Sequence, residues 1–418
     1  MSTHDDILLI GNRATLASRE LSLLNSRRKN AILEEMATEI DKKRDAILEA
    51  NSHDIDAAIN QGLSPAMIDR LKLDNNRINA MIKGIQILAA LKDPIGTRLS
   101  RWIRPNGLVI IKKRVPIGVI AIIYESRPNV TADTAAICIK TSNAVILRGG
   151  KEALYSNIAI SDAMIAGGRR KGLPEHAIQF VRITDHNAVK EIVQLEGKVD
   201  LVIPRGGESL IRAVVEQARV PVIKHYKGVC HVFVDAAANQ DMAMAIVENA
   251  KCQRPGVCNA METLLIHEAI APVFLPRIAA RLTELKVELR GDETSRKIVP
   301  LIKEATEADW SKEYLDLILA IRVVPSVEAA IDHINTYGTH HSDAIVTENE
   351  VAANMFCERV DSAVVYVNAS TRFTDGGEFG MGTEIGISTD KLHARGPMGL
   401  EELTTYKFIV YGSGQIRK

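Results

Sequence analysis

The chain has no Cys-x-x-Cys pair, no excess of either charge, no long unbroken apolar run and no tract of low complexity. Its five cysteines (Cys138, Cys230, Cys252, Cys258 and Cys357) are odd in number and scattered. That argues against a disulfide framework and against a thiolate metal site, and no metal is expected. Lys+Arg and Asp+Glu each number 52, so the formal net charge is zero. A balanced chain is a poor match for nucleic acid or an acidic membrane as main partner. The first ten residues are polar and acidic, with no basic stretch leading into an apolar one, so no signal peptide is expected. Nothing approaches the roughly 18 apolar residues of a membrane span. A reducing cytoplasm fits all of this. Repeats with a period of about 20–50 residues are missing, as are G-x-G-x-x-G and Walker A motifs. A dinucleotide, if bound, must be held in another way.

What is present reads as α/β. At 418 residues two or three domains are expected, and 46% apolar with 25% charged residues is ordinary for a globular protein. Ile32, Met36 and Ile40 recur at helical spacing within a helical region over 12–60, and a second helical stretch covers 77–91. Asn106-Gly107 between apolar and basic residues predicts a hairpin over 101–113. Strands and helices then alternate. Strands are expected at Val119–Tyr124, Ala144–Leu147, Gln179–Arg182, Leu201–Ile203 and Val220–Lys224, with helices between them. Such alternation implies βαβ units and a parallel sheet. A second α/β series starts near His231 and runs to about 365, and Gly376–Gly386 is a long functional loop.

Three motifs carry chemistry. Lys251-Cys252-Gln253-Arg254-Pro255-Gly256-Val257-Cys258-Asn259-Ala260 suits a nucleophilic thiol on a loop, with Arg254 and Lys251 as cations that favour the thiolate. A small buried hydrophobe is the competing reading of Cys258, and Cys252 reads as packing. Two strands end alike, in Arg148-Gly149-Gly150-Lys151 and in Pro204-Arg205-Gly206-Gly207. Glycines admit a ligand close to the backbone, and ligands bind beyond the carboxyl ends of strands in open α/β sheets. Two ordinary βα loops with solvated cations are the alternative. His340 and His341 adjoin, but neighbours on an extended chain point apart, so they read as structural or pocket residues. His225 and His231 read as bases or as polar residues at a domain junction.

Taken together, these segments resemble the aldehyde dehydrogenase superfamily and, more narrowly, its γ-glutamyl phosphate reductase family. Tyr124–Thr131 resembles the substrate loop of that family, Gln253–Ala260 its nucleophile loop, Val327–Ile345 its most distinctive stretch, and Phe373–Gly382 its closing loop. The resemblance runs nearly end to end. It implies an aldehyde dehydrogenase-like α/β fold: a Rossmann-like cofactor domain over 1–100 and 114–229, an α/β catalytic domain over 230–365, a small β oligomerisation element from 101–113 and 404–418, and a loop region at 366–403 returning to the cofactor domain. A homo-oligomer, dimer or tetramer, is implied too.

The same resemblance implies a reaction. Cys258 attacks L-glutamate 5-phosphate, Asn129 and the Cys258 N–H stabilise the oxyanion, and Ser126, Arg127, Arg254 and Asn259 bind substrate. Arg148, Gly149, Gly150, Lys151, Pro204, Arg205, Gly206, Gly207 and Glu313 hold the cofactor. Lys151 stands where NAD-preferring relatives carry Glu, which favours NADPH. Hydrolytic aldehyde dehydrogenases place a water-activating Glu where this chain has Val222–Val229, a stretch with no carboxylate. A hydrolytic dehydrogenase and a non-catalytic relative are the other readings. A glutamate 5-kinase is a possible partner.

Overall fold

The computed structural model describes residues 2–417, Ala66 by its backbone alone, so the terminal positions of the ranges 1–100 and 404–418 lie outside the described residues. Two compact units form. The first takes Met1–Lys224, Gly380–Gly386 and Met398–Lys418; the second takes His225–Phe379 and Ile387–Pro397.

The first unit opens with helices α1 (Thr3–Leu21), α2 (Ser26–Lys42), α3 (Arg44–Asn60), α4 (Pro65–Leu71) and α5 (Asn75–Ala90). Side-chain caps start most of them, Asn25 for α2, Ser64 for α4 and Asp74 for α5, each satisfying a backbone N–H that the helix leaves open. The Asn-Gly hairpin follows as β1 (Arg98–Ile103) and β2 (Val109–Pro116). Then come β3 (Val119–Tyr124), α6 (Asn129–Lys140), β4 (Ala144–Gly149), α7 (Leu154–Arg170), β5 (Ile178–Phe180), α8 (Asn187–Val193), β6 (Leu201–Arg205) and α9 (Glu208–Gln217). The sheet is parallel, in the order β5-β4-β3-β6. Every residue of β3 and β4 is buried, which is why both read as unbroken apolar runs rather than alternating ones. Pro204 is tolerated in β6 because β6 is an edge strand, where a missing N–H breaks no ladder.

Val220–Lys224 is not a strand. It makes one isolated parallel bridge, Val222 to Val202, with Val202 N donating to Pro221 O at 2.9 Å and Ile223 N to Val202 O at 3.1 Å. Pro221 has no N–H to donate, and Arg219 and Val220 turn their N–H groups to Val193 O instead, so pairing stops after one rung.

The second unit carries β7 (Cys230–Val234), α10 (Gln240–Cys252), β8 (Met261–His267), α11 (Ala271–Glu284), β9 (Glu288–Gly291), α12 (Glu293–Ile298), β10 (Lys303–Glu304), β11 (Ile318–Val324), α13 (Val327–Tyr337), β12 (Ser342–Val346), α14 (Glu350–Arg359) and β13 (Val364–Val367). Its seven parallel strands run β10-β9-β11-β8-β7-β12-β13. Alternate side chains build a core on each face. Val232, Val234, Leu264, Ile266 and Val346 share one core with α10 and α11, while Phe233, Leu265 and Ile345 share the other with α13 and α14.

Short strands β14 (Ile387–Ser388) and β15 (Gly396–Pro397) pair within the second unit. The last strand, β16 (Thr404–Tyr411), pairs antiparallel with β2, giving a three-stranded sheet β1-β2-β16 in the first unit. The stretch 366–403 therefore does not return as one piece. Only 380–386 and 398–403 join the first unit; 366–379 and 387–397 stay with the second. Specific bonds hold them there. Asn259 Nδ2 donates to Thr374 O at 2.8 Å, His225 Nδ1 lies 2.9 Å from Ile387 O, and Arg395 Nη2 donates to Asp361 Oδ1 at 2.8 Å.

Candidate active site

In the first unit the ends of β4, β3 and β6 lie side by side. Both Gly-Gly pairs sit here, and each makes room for a carboxylate. A β-carbon on Gly150 would stand 2.1 Å from Glu152 Oε1, and one on Gly206 would stand 2.4 Å from Glu125 Oε2. Glu152 Oε1 accepts from the Ser126 N–H at 2.7 Å and from Ser126 Oγ at 2.6 Å; Glu125 Oε2 accepts from the Gly207 N–H at 2.8 Å. The loop after β3 is thereby tied to both glycine loops. Ser126 has φ +36, a costly conformation for a residue with a side chain, and its two bonds to Glu152 hold it there. Gly149 is required by packing, since a β-carbon there would lie 2.2 Å from Asn157 Nδ2.

The cations divide. Arg148 is buried, its guanidinium donating to Gly149 O and Thr184 O, both at 3.0 Å. Burial pushes its pKa below the ordinary arginine range. Lys151 and Arg127 are exposed. Arg205 packs against Gly386, whose absent β-carbon would stand 2.3 Å from Arg205 Nη1. At the head of α6, Asn129 Nδ2 donates to Asp133 Oδ2 at 2.9 Å. Burial raises the Asp133 carboxyl to about 6, against the opposing pull of the Asn129 bond and the Arg205 charge. These features fit a dinucleotide. Exposed Lys151 flanks one glycine loop, and the second opens α9, where the Gly207 N–H is held by Glu125.

The second unit holds Cys258, half-buried on the loop between α10 and β8. An ion pair closes the base of that loop. Lys251 Nζ donates to Glu262 Oε2 at 2.6 Å, and both side chains are fully buried. Lys251 is therefore no source of charge for the thiol, contrary to expectation, because its partner cancels it. Glu262 is raised to about 7 by burial, opposed by Lys251, and its other oxygen accepts the Leu315 N–H at 3.1 Å. Glu313, two residues earlier, accepts the Gly228 N–H at 2.8 Å.

The floor of the loop is a buried polar chain. Cys230 Sγ donates to Cys258 O at 3.2 Å and lies 3.7 Å from His341 Nδ1. His341 reaches Ser342 Oγ at 2.9 Å, Ser342 reaches Thr374 Oγ1 at 2.7 Å, and Thr374 reaches the Tyr366 hydroxyl at 2.8 Å. Burial drives the Cys230 thiol well above its ordinary range and drops His341 to about 3. Asn259 is buried, with its amide bonded to Thr374 O, Arg372 O and the Arg372 guanidinium. Arg254 is exposed. His231 is neither base nor junction residue, since it is fully buried in β7 and paired with Asp343 Oδ1 at 2.8 Å. His333 packs edge-on against it, and Trp310 and Tyr337 pack against His333 in turn. Glu125, Glu152, Asp133, Glu262 and Arg372 escaped assignment from sequence, while His341 was read as structural or lining a pocket. Of the unassigned residues, Glu125 and Glu152 left a signal, each lying beside a position already singled out, Ser126 and Lys151.

The profile of the aldehyde dehydrogenase family matches residues 1–317. Over 406 residues the chain is 56% identical to a γ-glutamyl phosphate reductase of Thermoanaerobacter pseudethanolicus, covering 97% of this chain and 98% of that one. It is 54% identical to that of Geobacter metallireducens over the full length of both. The crystal structure of the Thermotoga maritima γ-glutamyl phosphate reductase superimposes with a TM-score of 0.97 at 48% identity, covering 99% of this chain and 100% of that one. A loop thiol, paired strand-end loops and full-length likeness agree, and the chain belongs to the aldehyde dehydrogenase family and, within it, to the γ-glutamyl phosphate reductases.

Proposed function

We propose that the chain reduces L-glutamate 5-phosphate to L-glutamate 5-semialdehyde with release of phosphate, the second step of proline biosynthesis, using NADPH. The observation that carries the phosphate-releasing reading is the stretch Val222–Val229, which offers cations and no water-activating carboxylate. Glu313, which does approach this stretch, is turned to the Gly228 N–H.

Cys258 attacks the acyl carbon as thiolate, forming a thioester as phosphate departs. The Cys258 N–H and the Asn129 amide are the oxyanion donors. Asp133 takes one N–H of Asn129 and so fixes which way the amide faces. Arg127 and Arg254, both exposed cations, serve the substrate's anionic groups. Asn259 serves by holding the loop, and Ser126 by holding Glu152. When bound, the reduced nicotinamide supplies the hydride that takes the thioester to the aldehyde level. Lys151 is assigned the 2′-phosphate, since Arg148 faces backbone carbonyls. The Gly206-Gly207 start of α9 is assigned the dinucleotide phosphates, which would take the Gly207 N–H over from Glu125, and Glu313 is assigned the nicotinamide ribose.

The substrate is an acyl phosphate, so an ATP-dependent glutamate 5-kinase must supply it. None of the five cysteines is in a disulfide, and no helix among the described residues is long and apolar enough to cross a membrane. Both support a cytoplasmic enzyme. The sheet β1-β2-β16 leaves Trp102, Tyr406, Phe408 and Val410 exposed, which supports its use between subunits of a homo-oligomer.

The test is the reverse reaction. NADPH formation from glutamate semialdehyde and NADP⁺ should require inorganic phosphate, with arsenate accepted in its place. Steady oxidation at full rate in phosphate-free buffer overturns the reading in favour of hydrolysis.

A further inference from the structure

Arg372 lies on the helical turn Thr371–Phe373 that follows β13. Its guanidinium bridges the nucleophile loop. Nε donates to Gln253 Oε1 at 2.8 Å, and Nη1 donates to Asn259 Oδ1. Gln253 precedes Arg254 and Asn259 follows Cys258, so the group spans the loop that carries cation and thiol. Its root is fixed as well. Asn259 Nδ2 donates back to Arg372 O at 3.3 Å, and the Arg372 N–H donates to Ser370 Oγ at 3.2 Å. Of the five guanidinium N–H groups, the other three have no partner among the described residues.

The electrostatics are unusual for a structural arginine. Burial is the largest influence on Arg372 and lowers its pKa, and the Arg254 charge lowers it further; Asp375 and the thiols of Cys258 and Cys230 pull the other way. The Arg254 and Cys258 charges both reach the Arg372 guanidinium, which stays on the loop by its bonds to Gln253 and Asn259 although repulsion and desolvation oppose it. An arrangement of this kind is stabilised by an incoming anion. A single thiolate matches one cation, and a second multiply charged anion matches the pair with its open N–H fork.

We propose that Arg372, together with Arg254, is the receptor for the phosphate that leaves and re-enters at the acyl group on Cys258; this rests on the reductase reading above. In the forward direction the S–C bond forms as the acyl C–O bond breaks, and phosphate leaves with the electron pair into the guanidinium fork. In reverse, a phosphate oxygen attacks the thioester carbonyl and Cys258 leaves as thiolate.

Two measurements on the full chain test this. In the reverse reaction, Arg372→Gln should raise the KM for phosphate roughly ten- to a hundredfold while the KM values for NADP⁺ and semialdehyde stay within about threefold. Arg372→Lys should recover part of the loss, because it restores charge without the fork. A purely structural role would instead lower kcat with no selective change in the phosphate constant, and that result overturns the proposal. The second measurement needs no turnover. Inorganic phosphate should slow iodoacetamide alkylation of Cys258 in the wild type and not in Arg372→Gln, with Arg254→Gln intermediate. Equal protection in wild type and Arg372→Gln, or no protection of the wild type, also overturns it. Protection that depends on Arg372 in an enzyme whose oxidation ignores phosphate would sink the reductase reading and leave the receptor standing.

Discussion

A β-carbon on Gly228 would stand 1.9 Å from the Cys258 carbonyl oxygen, so these two residues meet backbone to backbone. The same glycine donates its N–H to Glu313. Any side chain at 228 must displace the Cys258 loop, because the atom it meets is main chain. Gly228→Ala should lower kcat about a hundredfold or more, as expected for roughly 1 Å of misplacement at a reacting centre. NADPH affinity, measured by fluorescence titration, should change less. Near-normal turnover would show that the loop can give way.

Cofactor preference should reside in Lys151. Arg148 is turned to the carbonyls of Gly149 and Thr184, while Lys151 is exposed beside the same glycine pair. Lys151→Glu should weaken NADPH by about ten- to a hundredfold, the worth of one charge-assisted contact at roughly 1.5–3 kcal/mol, and leave NADH nearly unchanged. An unaltered ratio of the two KM values would move the 2′-phosphate to Arg205.

The Lys251–Glu262 pair invites a double substitution. Lys251→Met leaves a buried carboxylate without its counter-ion and should cost about 3–5 kcal/mol in denaturant unfolding. Adding Glu262→Gln should return much of that, since the amide oxygen still accepts the Leu315 N–H without a buried charge. Additive losses in the two single variants would show that the pair is not coupled.

Asp133 gives a signed pH dependence. Its carboxyl titrates near 6 in the fold against 3.8 for the free group, with burial as the main cause. The folded chain thus holds a proton that the unfolded chain gives up, so this residue's contribution to stability falls as pH rises from about 4 to 6. Asp133→Asn should flatten that interval and stabilise the protein above pH 6 by about 1–2 kcal/mol, discounted because the group is only half-buried. Turnover should fall only modestly, because Asn offers the Asn129 amide an acceptor too. A slope in thermal midpoint unchanged between pH 4 and 6 would rule this out.

Much of the architecture was legible because its signals are local. The buried runs Val119–Tyr124 and Ala144–Gly149 have no polar alternation to confuse with an exposed strand, and Asn106-Gly107 marks a turn by its backbone alone. Val220–Lys224 misled because an apolar run says nothing about whether a neighbour offers a ladder, and Pro221 withholds half of one. A named residue type on a loop, as at Cys258, is legible as a candidate, and the fold adds its half-buried place between α10 and β8. The site was illegible where the partner is remote in sequence. Nothing near Lys251 shows that Glu262 cancels its charge, and nothing near Thr371-Arg372-Phe373 shows that the arginine lies across the loop at Gln253 and Asn259. Glycines at 150 and 206 suggested space for a ligand; the space is taken by the chain's own Glu152 and Glu125.

The buried imidazole beneath the Cys258 loop also sets a limit of use. His341 is held near 3 and His333 near 2, chiefly by burial, whereas a free imidazole takes its proton near 6.5. What these two rings contribute is present above pH 6.5 and drains away as acid protonates the unfolded chain. His341 stands in line with Cys230 and the Cys258 carbonyl, so what it contributes to stability is tied to the support of the Cys258 loop. The thermal midpoint should therefore fall as pH drops below about 6.5.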